Sequence, residues 1–210
     1  MADATHILKV SPVIPVVTID DPCHAVPVAR ALADGGVRII ELTLRTESAL
    51  TSLKLIAEEV PDILLGAGTV LTPGQADAAV SAGAQFLVSP GVTPALLGHM
   101  LTLDVPVLPG VATVGEVMAV LERGLHAMKF FPAGPAGGPG YVAAIGAPVP
   151  QVQFCPTGGI SLASAPEYLK LPNVSCVGGS WLTPGHAIEN GNWQLITELA
   201  QQAAALVESL

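Results

Sequence analysis

A lysine stands in the middle of an apolar, aromatic run, His126-Ala127-Met128-Lys129-Phe130-Phe131-Pro132-Ala133. The run reads as a short buried strand, closed by Pro132 and a glycine-rich segment. An unpaired buried ammonium is costly, so Lys129 either finds a partner or gives up its proton. A lysine held neutral is a nucleophile that forms Schiff bases with ketones. The competing reading is a strand-end lysine that snorkels to water or pairs with a carboxylate. Lys9, Lys54 and Lys170 fall in the N-terminal segment, on an exposed helix face and in a loop. Each reads as a solvated surface group, with Lys54 four residues before Glu58 as an ordinary helical pair.

A second run, Ile39-Ile40-Glu41-Leu42-Thr43-Leu44-Arg45, alternates so that Glu41, Thr43 and Arg45 share one face. If the apolar set packs against helices, the polar set points inward. A carboxylate and a guanidinium there are expensive unless they bind a ligand or each other. Glu41 suits proton transfer, and Arg45 offers a flat fork that grips a carboxylate with two hydrogen bonds. An internal Glu41–Arg45 pair is the alternative. By the same period of two, Lys129 shares its face with Phe131. Gly66-Ala67-Gly68-Thr69 sets a hydroxyl at the end of a third strand, either for a substrate carboxylate or carbonyl or as a turn cap. Thr157-Gly158-Gly159 and Gly178-Gly179-Ser180 close two consecutive strands, where backbone N–H groups can receive a phosphate. The histidines lack metal-ligand spacing, and Ser180 does not sit in a nucleophile elbow, so neither a metal site nor a serine hydrolase is read.

These residues need strands to hold them, and the chain supplies a regular alternation. Strands are expected over Val13–Ile19, Arg38–Leu44, Ile63–Leu65, Gln85–Val88, Val105–Leu108, around Lys129, over Val152–Cys155 and over Val174–Val177. Helices are expected over Cys23–Asp34, Glu47–Val60, Pro73–Ala82, Pro94–Leu103, Val114–Arg123, Tyr141–Ile145, Leu162–Leu169 and Trp193–Val207. The second of these puts Leu50, Leu53, Ile56, Ala57 and Val60 on one apolar face. Eight strand–helix units in 210 residues match one α/β domain, a single (β/α)8 TIM barrel over 1–210. An open doubly wound sheet is the second choice, because polar and glycine-rich residues follow so many strands.

Half the residues are apolar, only 12% are charged, and the formal net charge is −9. That balance argues against nucleic acid or an anionic membrane as partner, since both require clustered basic side chains. So little surface charge hints at faces buried between subunits. No apolar run of about 18 residues survives uninterrupted. Met1-Ala2-Asp3-Ala4-Thr5-His6 lacks the basic start and apolar stretch of a signal peptide. Cys23, Cys155 and Cys176 are far apart and read as small reduced core residues of a cytoplasmic protein.

Glu41-Leu42-Thr43-Leu44-Arg45-Thr46, Gly66-Ala67-Gly68-Thr69-Val70, Lys129-Phe130-Phe131-Pro132-Ala133, Pro156-Thr157-Gly158-Gly159-Ile160 and Gly178-Gly179-Ser180-Trp181-Leu182, in this order, resemble the 2-keto-3-deoxy-6-phosphogluconate (KDPG) and 4-hydroxy-2-oxoglutarate aldolase family. The resemblance implies a class I aldolase, a homotrimer of barrels without metal or cofactor, acting on a phosphorylated keto acid. It makes Lys129 the Schiff-base lysine and Glu41 the base. It places Arg45 and Thr69 on the pyruvate-derived carboxylate and Pro90 and Phe131 in the pocket wall. It assigns Thr157, Gly158, Gly159, Gly179 and Ser180 to the phosphate end. The same chemistry on 2-keto-3-deoxy-6-phosphogalactonate or 4-hydroxy-2-oxoglutarate remains open, as do a phosphosugar isomerase or epimerase working through Glu41 and a non-catalytic phosphosugar binder. One departure borders the lysine: Gly134 stands where the family commonly has an acidic residue, and Pro135-Ala136-Gly137-Gly138-Pro139-Gly140 follows it. A second is Ala112-Thr113-Val114-Gly115-Glu116 in place of the more usual Thr-Pro-Ser-Glu.

Overall fold

The chain alternates strand and helix throughout, and every strand pairing among the described residues is parallel. A computed structural model describes residues 4–206. Met1, Ala2 and Asp3 of the N-terminal reading, and Val207 at the end of the last expected helix, lie outside the described residues. The strands are β1 (Val13–Val17), β2 (Ile39–Thr43), β3 (Leu64–Gly68), β4 (Phe86–Val88), β5 (Val107–Leu108), β6 (Gly110–Val111), β7 (Ala127–Phe130), β8 (Gln153–Pro156) and β9 (Val177–Gly179). The helices are α1 (Ala25–Asp34), α2 (Ala49–Glu59), α3 (Pro73–Ser81), α4 (Pro94–Met100), α5 (Val114–Leu121), α6 (Gly138–Gly146), α7 (Ala165–Leu169), α8 (Gly185–Glu189) and α9 (Trp193–Ala204).

The strands fall into a six-stranded sheet, ordered β5-β4-β3-β2-β1-β9, and a three-stranded sheet, ordered β6-β7-β8. Single parallel bridges, Phe154↔Val174 and Thr157↔Gly178, tie the β8 edge to the β9 segment. At the other edge only Pro109 separates β5 from β6. The architecture is thus a parallel α/β fold whose sheet curls around a shared core. Nearly every strand residue is buried, as expected where parallel strands are covered on one side by helices and on the other by one another. Phe86, Phe130 and Phe154 are fully buried, and the Phe130 and Phe154 rings meet edge to face at 5.9 Å.

Helix starts follow the sequence signals closely. Thr72 and Thr113 close capping boxes with Gln75 and Glu116 at the heads of α3 and α5. Other expectations need correction. The expected strand Ile63–Leu65 runs on to Gly68, because its glycines leave room for large neighbours rather than turning the chain. The expected strand Val105–Leu108 shortens to β5, and the next pair, Gly110-Val111, forms β6. Pro109 has no N–H to continue the ladder, yet its carbonyl accepts the Lys129 N–H at 3.0 Å. The short helix α8 and a 3-10 turn over Ala4–Lys9 have no counterpart in the expected elements. Leu50, expected on the buried face of α2, is 41% exposed. Cys23 is exposed too, because a 3-10 turn over Pro22–His24 precedes α1 and puts Cys23 ahead of the packed helix. Cys155 and Cys176 are buried as expected. Among the described residues no helix is long and apolar enough to cross a membrane, and no group of three His, Cys, Asp or Glu side chains is placed to hold a metal ion.

Candidate active site

The site begins where β2 of the large sheet faces β7 of the small one. Glu41 sits mid-strand in β2, flanked in register by Val16 of β1 and Gly66 of β3. Lys129 sits in β7, flanked by Gly110 of β6 and Cys155 of β8. Both side chains point inward, and Lys129 Nζ donates to Glu41 Oε1 at 2.8 Å. The residues are 4% and 2% exposed, so the ammonium has found its partner inside the core. Glu41 therefore pairs with Lys129, and the internal Glu41–Arg45 pair does not form. Lys129 Nζ also lies 5.7 Å from the centre of the Phe131 ring, as the shared face requires. Lys9 and Lys170 are exposed, and Lys54 lies 3.9 Å from Glu58 on the surface of α2.

Two glycines and a proline shape this buried pair. A methyl group on Gly68 would lie 2.5 Å from Glu41 Cγ and 2.7 Å from Cδ, so the carboxylate occupies the space a side chain would take. A methyl on Gly110 would strike the Pro90 backbone and come within 2.6 Å of Gly91 N. Pro90 thus braces the strand beside Lys129. Directly after Gly68, Thr69 is half-buried and holds a φ of 59°. That left-handed conformation is costly for a β-branched residue and persists only where its surroundings dictate it.

Alternation breaks after Thr43. The Thr43 hydroxyl donates to Val17 O at 2.9 Å and lies 2.9 Å from Thr18 Oγ1, clipping β2 to β1. Arg45 lies beyond the strand end, in a turn, and is exposed. It lines a cavity of about 300 Å³ with Phe131, Thr157, Gly158, Gly159, Gly179 and Ser180. Val16, Ile160 and Gly178 share that lining; Val16 and Ile160 are apolar, so no chemistry marks either as a site residue. Pro90, Thr69, Glu41 and Lys129 do not line it.

Gly158 and Gly159 both have positive φ, 97° and 74°, a conformation that L side chains rarely adopt. Their loop is held from below. The N–H groups of Ala133 and Gly134 donate to the carbonyls of Thr157 and Gly158 at 2.8 and 2.9 Å, and Thr157 N–H donates to Phe130 O at 2.8 Å. Backbone N–H groups in such a loop form a concavity suited to an anion. Beneath it, the Cys176 thiol is pushed well above its usual pKa, first by its hydrogen bond with Cys155 and then by burial. A primary amine against a carboxylate, beside an anion cradle and a guanidinium, equips the site for carbonyl chemistry on an anionic substrate.

Comparison with known proteins places the chain among similar sequences and structures. The family described as KDPG and KHG aldolase matches residues 4–199. The 2-dehydro-3-deoxy-phosphogluconate aldolase of Dickeya dadantii (strain 3937) is 50% identical over 202 residues, covering 96% of this chain and 95% of that one. A crystal structure of KDPG aldolase from Legionella pneumophila, with pyruvate captured at low pH as a covalent carbinolamine intermediate, superposes with a TM-score of 0.92 at 50% identity, over 94% of this chain and 96% of that one. The Zymomonas mobilis ZM4 enzyme with 3-phosphoglycerate gives 0.92 at 43% identity, over 97% and 96%.

Proposed function

The chain belongs to the KDPG and KHG aldolase family, and from that membership we propose how its residues carry the reaction. It is a class I aldolase that cleaves 2-keto-3-deoxy-6-phosphogluconate to pyruvate and glyceraldehyde 3-phosphate, a carbon–carbon lyase. The observation that carries the residue assignment is the buried contact between Lys129 Nζ and Glu41 Oε1 at 2.8 Å. At that distance the carboxylate can take the ammonium proton and leave a free amine.

The amine of Lys129 adds to the C2 ketone to give a carbinolamine, and Glu41 returns its proton to the departing hydroxyl, so that water leaves, an iminium forms and Glu41 is a carboxylate again. Glu41, directly or through a water, removes the C4 hydroxyl proton. The C3–C4 bond breaks, its electrons flow into the iminium to give an enamine, and glyceraldehyde 3-phosphate departs. Protonation of the enamine carbon and hydrolysis of the iminium release pyruvate and restore the lysine. Arg45 and Thr69 hold the pyruvate-derived carboxylate, with the strained Thr69 backbone fixing its hydroxyl. Phe131 and Pro90 wall the reacting end. Gly158, Gly159, Gly179 and Ser180 receive the phosphate through N–H and O–H groups, with Thr157 supporting their loop. The pyruvate adduct of the Legionella relative and the 3-phosphoglycerate of the Zymomonas relative support a ketoacid end and a phosphate end.

The bridges between β8 and β9 and the continuity of β5 into β6 support closure of the two sheets into one eight-position (β/α)8 barrel forming a single domain. Exposed Leu50, Leu71 and Met118 on a charge-poor chain support a homotrimer, and the free cysteines support a cytoplasmic location.

The test is borohydride reduction in the presence of pyruvate, followed by peptide mass spectrometry. A reduced pyruvate adduct on Lys129 is expected, and Lys129→Arg is expected to lose both the adduct and turnover. An unmodified Lys129 in folded protein at saturating pyruvate would remove the Schiff base and bring forward proton transfer at Glu41 alone. Comparing phosphorylated with unphosphorylated substrate then separates KDPG cleavage from cleavage of 4-hydroxy-2-oxoglutarate.

A further inference from the structure

The phosphate end contains one large side chain whose function nothing above explains. Trp181 directly follows Ser180, and its six-membered ring covers Gly179. A methyl group on Gly179 would lie 2.6 Å from Trp181 Cη2 and closer still to Cε3 and Cζ3. Neighbouring Gly178 is pressed from the other strand by Thr157, whose Cβ would be 3.0 Å from a methyl there. The Gly178-Gly179 backbone is therefore wedged between the Thr157 side chain and the Trp181 ring. Neither glycine needs a positive φ; what both need is room for a neighbour. The wedge fixes the last residues of β9 before the chain turns, and Thr183 N–H donates to Ser180 O at 3.2 Å across that turn.

Trp181 also carries a cost. Its indole Nε1 is buried without a hydrogen-bond partner among the described residues. An unsatisfied buried donor costs about 1–3 kcal/mol. A leucine would fill space there without it. What a leucine lacks is a flat ring to lie over Gly179.

We propose that Trp181 is a positioning residue for the anion end of the substrate, its ring clamping Gly179 so that the N–H groups of Gly179 and Ser180 face the phosphate. This rests on the phosphate reading given under Proposed function. Trp181 packs on Gly179, and the contacts of the Lys129 amine are with Glu41 and Phe131, so its expected effect is on affinity for the phosphorylated end rather than on the iminium chemistry. The chain has two tryptophans, and the other, Trp193, opens α9 with its ring 5.8 Å from that of His24. In a Trp193→Phe background Trp181 becomes a single fluorescent reporter of the cradle.

The experiment compares Trp181→Leu and Trp181→Phe with the unaltered enzyme. It measures KM and kcat with 2-keto-3-deoxy-6-phosphogluconate, kcat/KM with its unphosphorylated counterpart, and competitive inhibition by inorganic phosphate. Trp181→Leu is expected to raise KM and the phosphate inhibition constant about tenfold, with activity on the unphosphorylated compound within about twofold. Trp181→Phe, which keeps an aromatic face, should recover most of the loss. Phosphate, but not pyruvate, should shift the emission of the Trp193→Phe enzyme. Equal losses on both substrates, or an emission spectrum indifferent to phosphate, would overturn the proposal. Borohydride trapping of pyruvate on each variant keeps the two levels apart. Trapping in the unaltered enzyme upholds the aldolase reading whatever Trp181 does, and its absence there overturns that reading instead.

Discussion

Replacing Gly68 by alanine introduces one methyl group and leaves every residue assigned to chemistry in place in the sequence. That methyl would lie 2.5 Å from Glu41 Cγ and 2.7 Å from Cδ, against the 3.4 Å at which ordinary contact begins. The carboxyl group must retreat by about 1 Å, and it has little room, because Glu41 is 2% exposed and lies in a core packed at crystal-like density. Retreat lengthens the 2.8 Å contact with Lys129 toward 4 Å or tilts it out of line. Misplacement on this scale costs about a hundredfold in rate. Loosening a buried ion pair also destabilises, by up to about 3 kcal/mol if the lysine is left uncompensated. The expected outcome is a folded enzyme with kcat near one-hundredth of normal and a lowered urea midpoint.

Gly66 supplies the control. It lies two residues earlier on the same strand, and a methyl there would strike the Phe86 ring instead of Glu41. Gly66→Ala should destabilise by a comparable amount, about 1–3 kcal/mol for overpacking, while the folded fraction keeps nearly normal kcat. Pyruvate release followed by a coupled lactate dehydrogenase assay gives the rates, and urea denaturation gives the stabilities. If Gly68→Ala and Gly66→Ala lose activity only in proportion to their unfolded fractions, the placement of the Glu41 carboxylate does not limit catalysis, and its assignment as the base fails.

Three further outcomes are expected. Arg45→Lys should raise KM about tenfold with kcat little changed, because a point charge replaces a two-pronged grip on a carboxylate that is present in ground and transition states alike; steady-state kinetics would refute this by showing an unchanged KM. Thr72→Ala removes the hydroxyl that accepts the Gln75 N–H at 3.2 Å at the head of α3, and should cost about 1 kcal/mol of stability at unchanged activity, read from urea denaturation. The exposed Cys23 thiol is held above its usual pKa, first by its side-chain hydrogen bond with Asp21, then by desolvation, then by the Asp21 charge. A raised thiol pKa means less thiolate at a given pH, so Asp21→Asn should speed iodoacetamide labelling of Cys23 severalfold at about pH 8, while buried Cys155 and Cys176 stay unlabelled until the chain unfolds.

The chemical groups were legible in the sequence because they contradict their surroundings. Lys129 among aromatic residues and Glu41 among β-branched ones announce themselves, and period two correctly sent both inward. Their pairing was not legible. Glu41 and Lys129 are 88 positions apart, on strands of different sheets, and the local pattern offered Arg45 as the nearer partner. Alternation holds only while the strand lasts, and β2 ends at Thr43, whose hydroxyl bonds to Val17 O. Two residues later Arg45 is free of the strand's geometry and turns to the cavity with the glycine loops. Helix α8 has no counterpart for a different reason: its five residues, Gly185-His186-Ala187-Ile188-Glu189, open on glycine and show no apolar period.

Glycine explains the remaining differences, since it enters this site in two physical capacities that look identical in a sequence. At Gly158 and Gly159 it supplies backbone conformations closed to other residues, and there the customary reading of a glycine pair as a turn is right. At Gly68, Gly110 and Gly179 it supplies volume, ceding the place of a side chain to the Glu41 carboxyl, the Pro90 backbone and the Trp181 ring. Read as a turn, Gly66-Ala67-Gly68 cut β3 short; read as space, it marks where the neighbouring strand carries something large and oriented. The second capacity also predicts where substitution harms chemistry rather than folding alone. A packed interior is nearly full, so a missing side chain on one strand implies a functional or bulky one on the next. Gly68 and Glu41 meet that condition through the register that sets Thr43 opposite Gly68. The same logic, applied at the far end of the site, is what singles out Trp181.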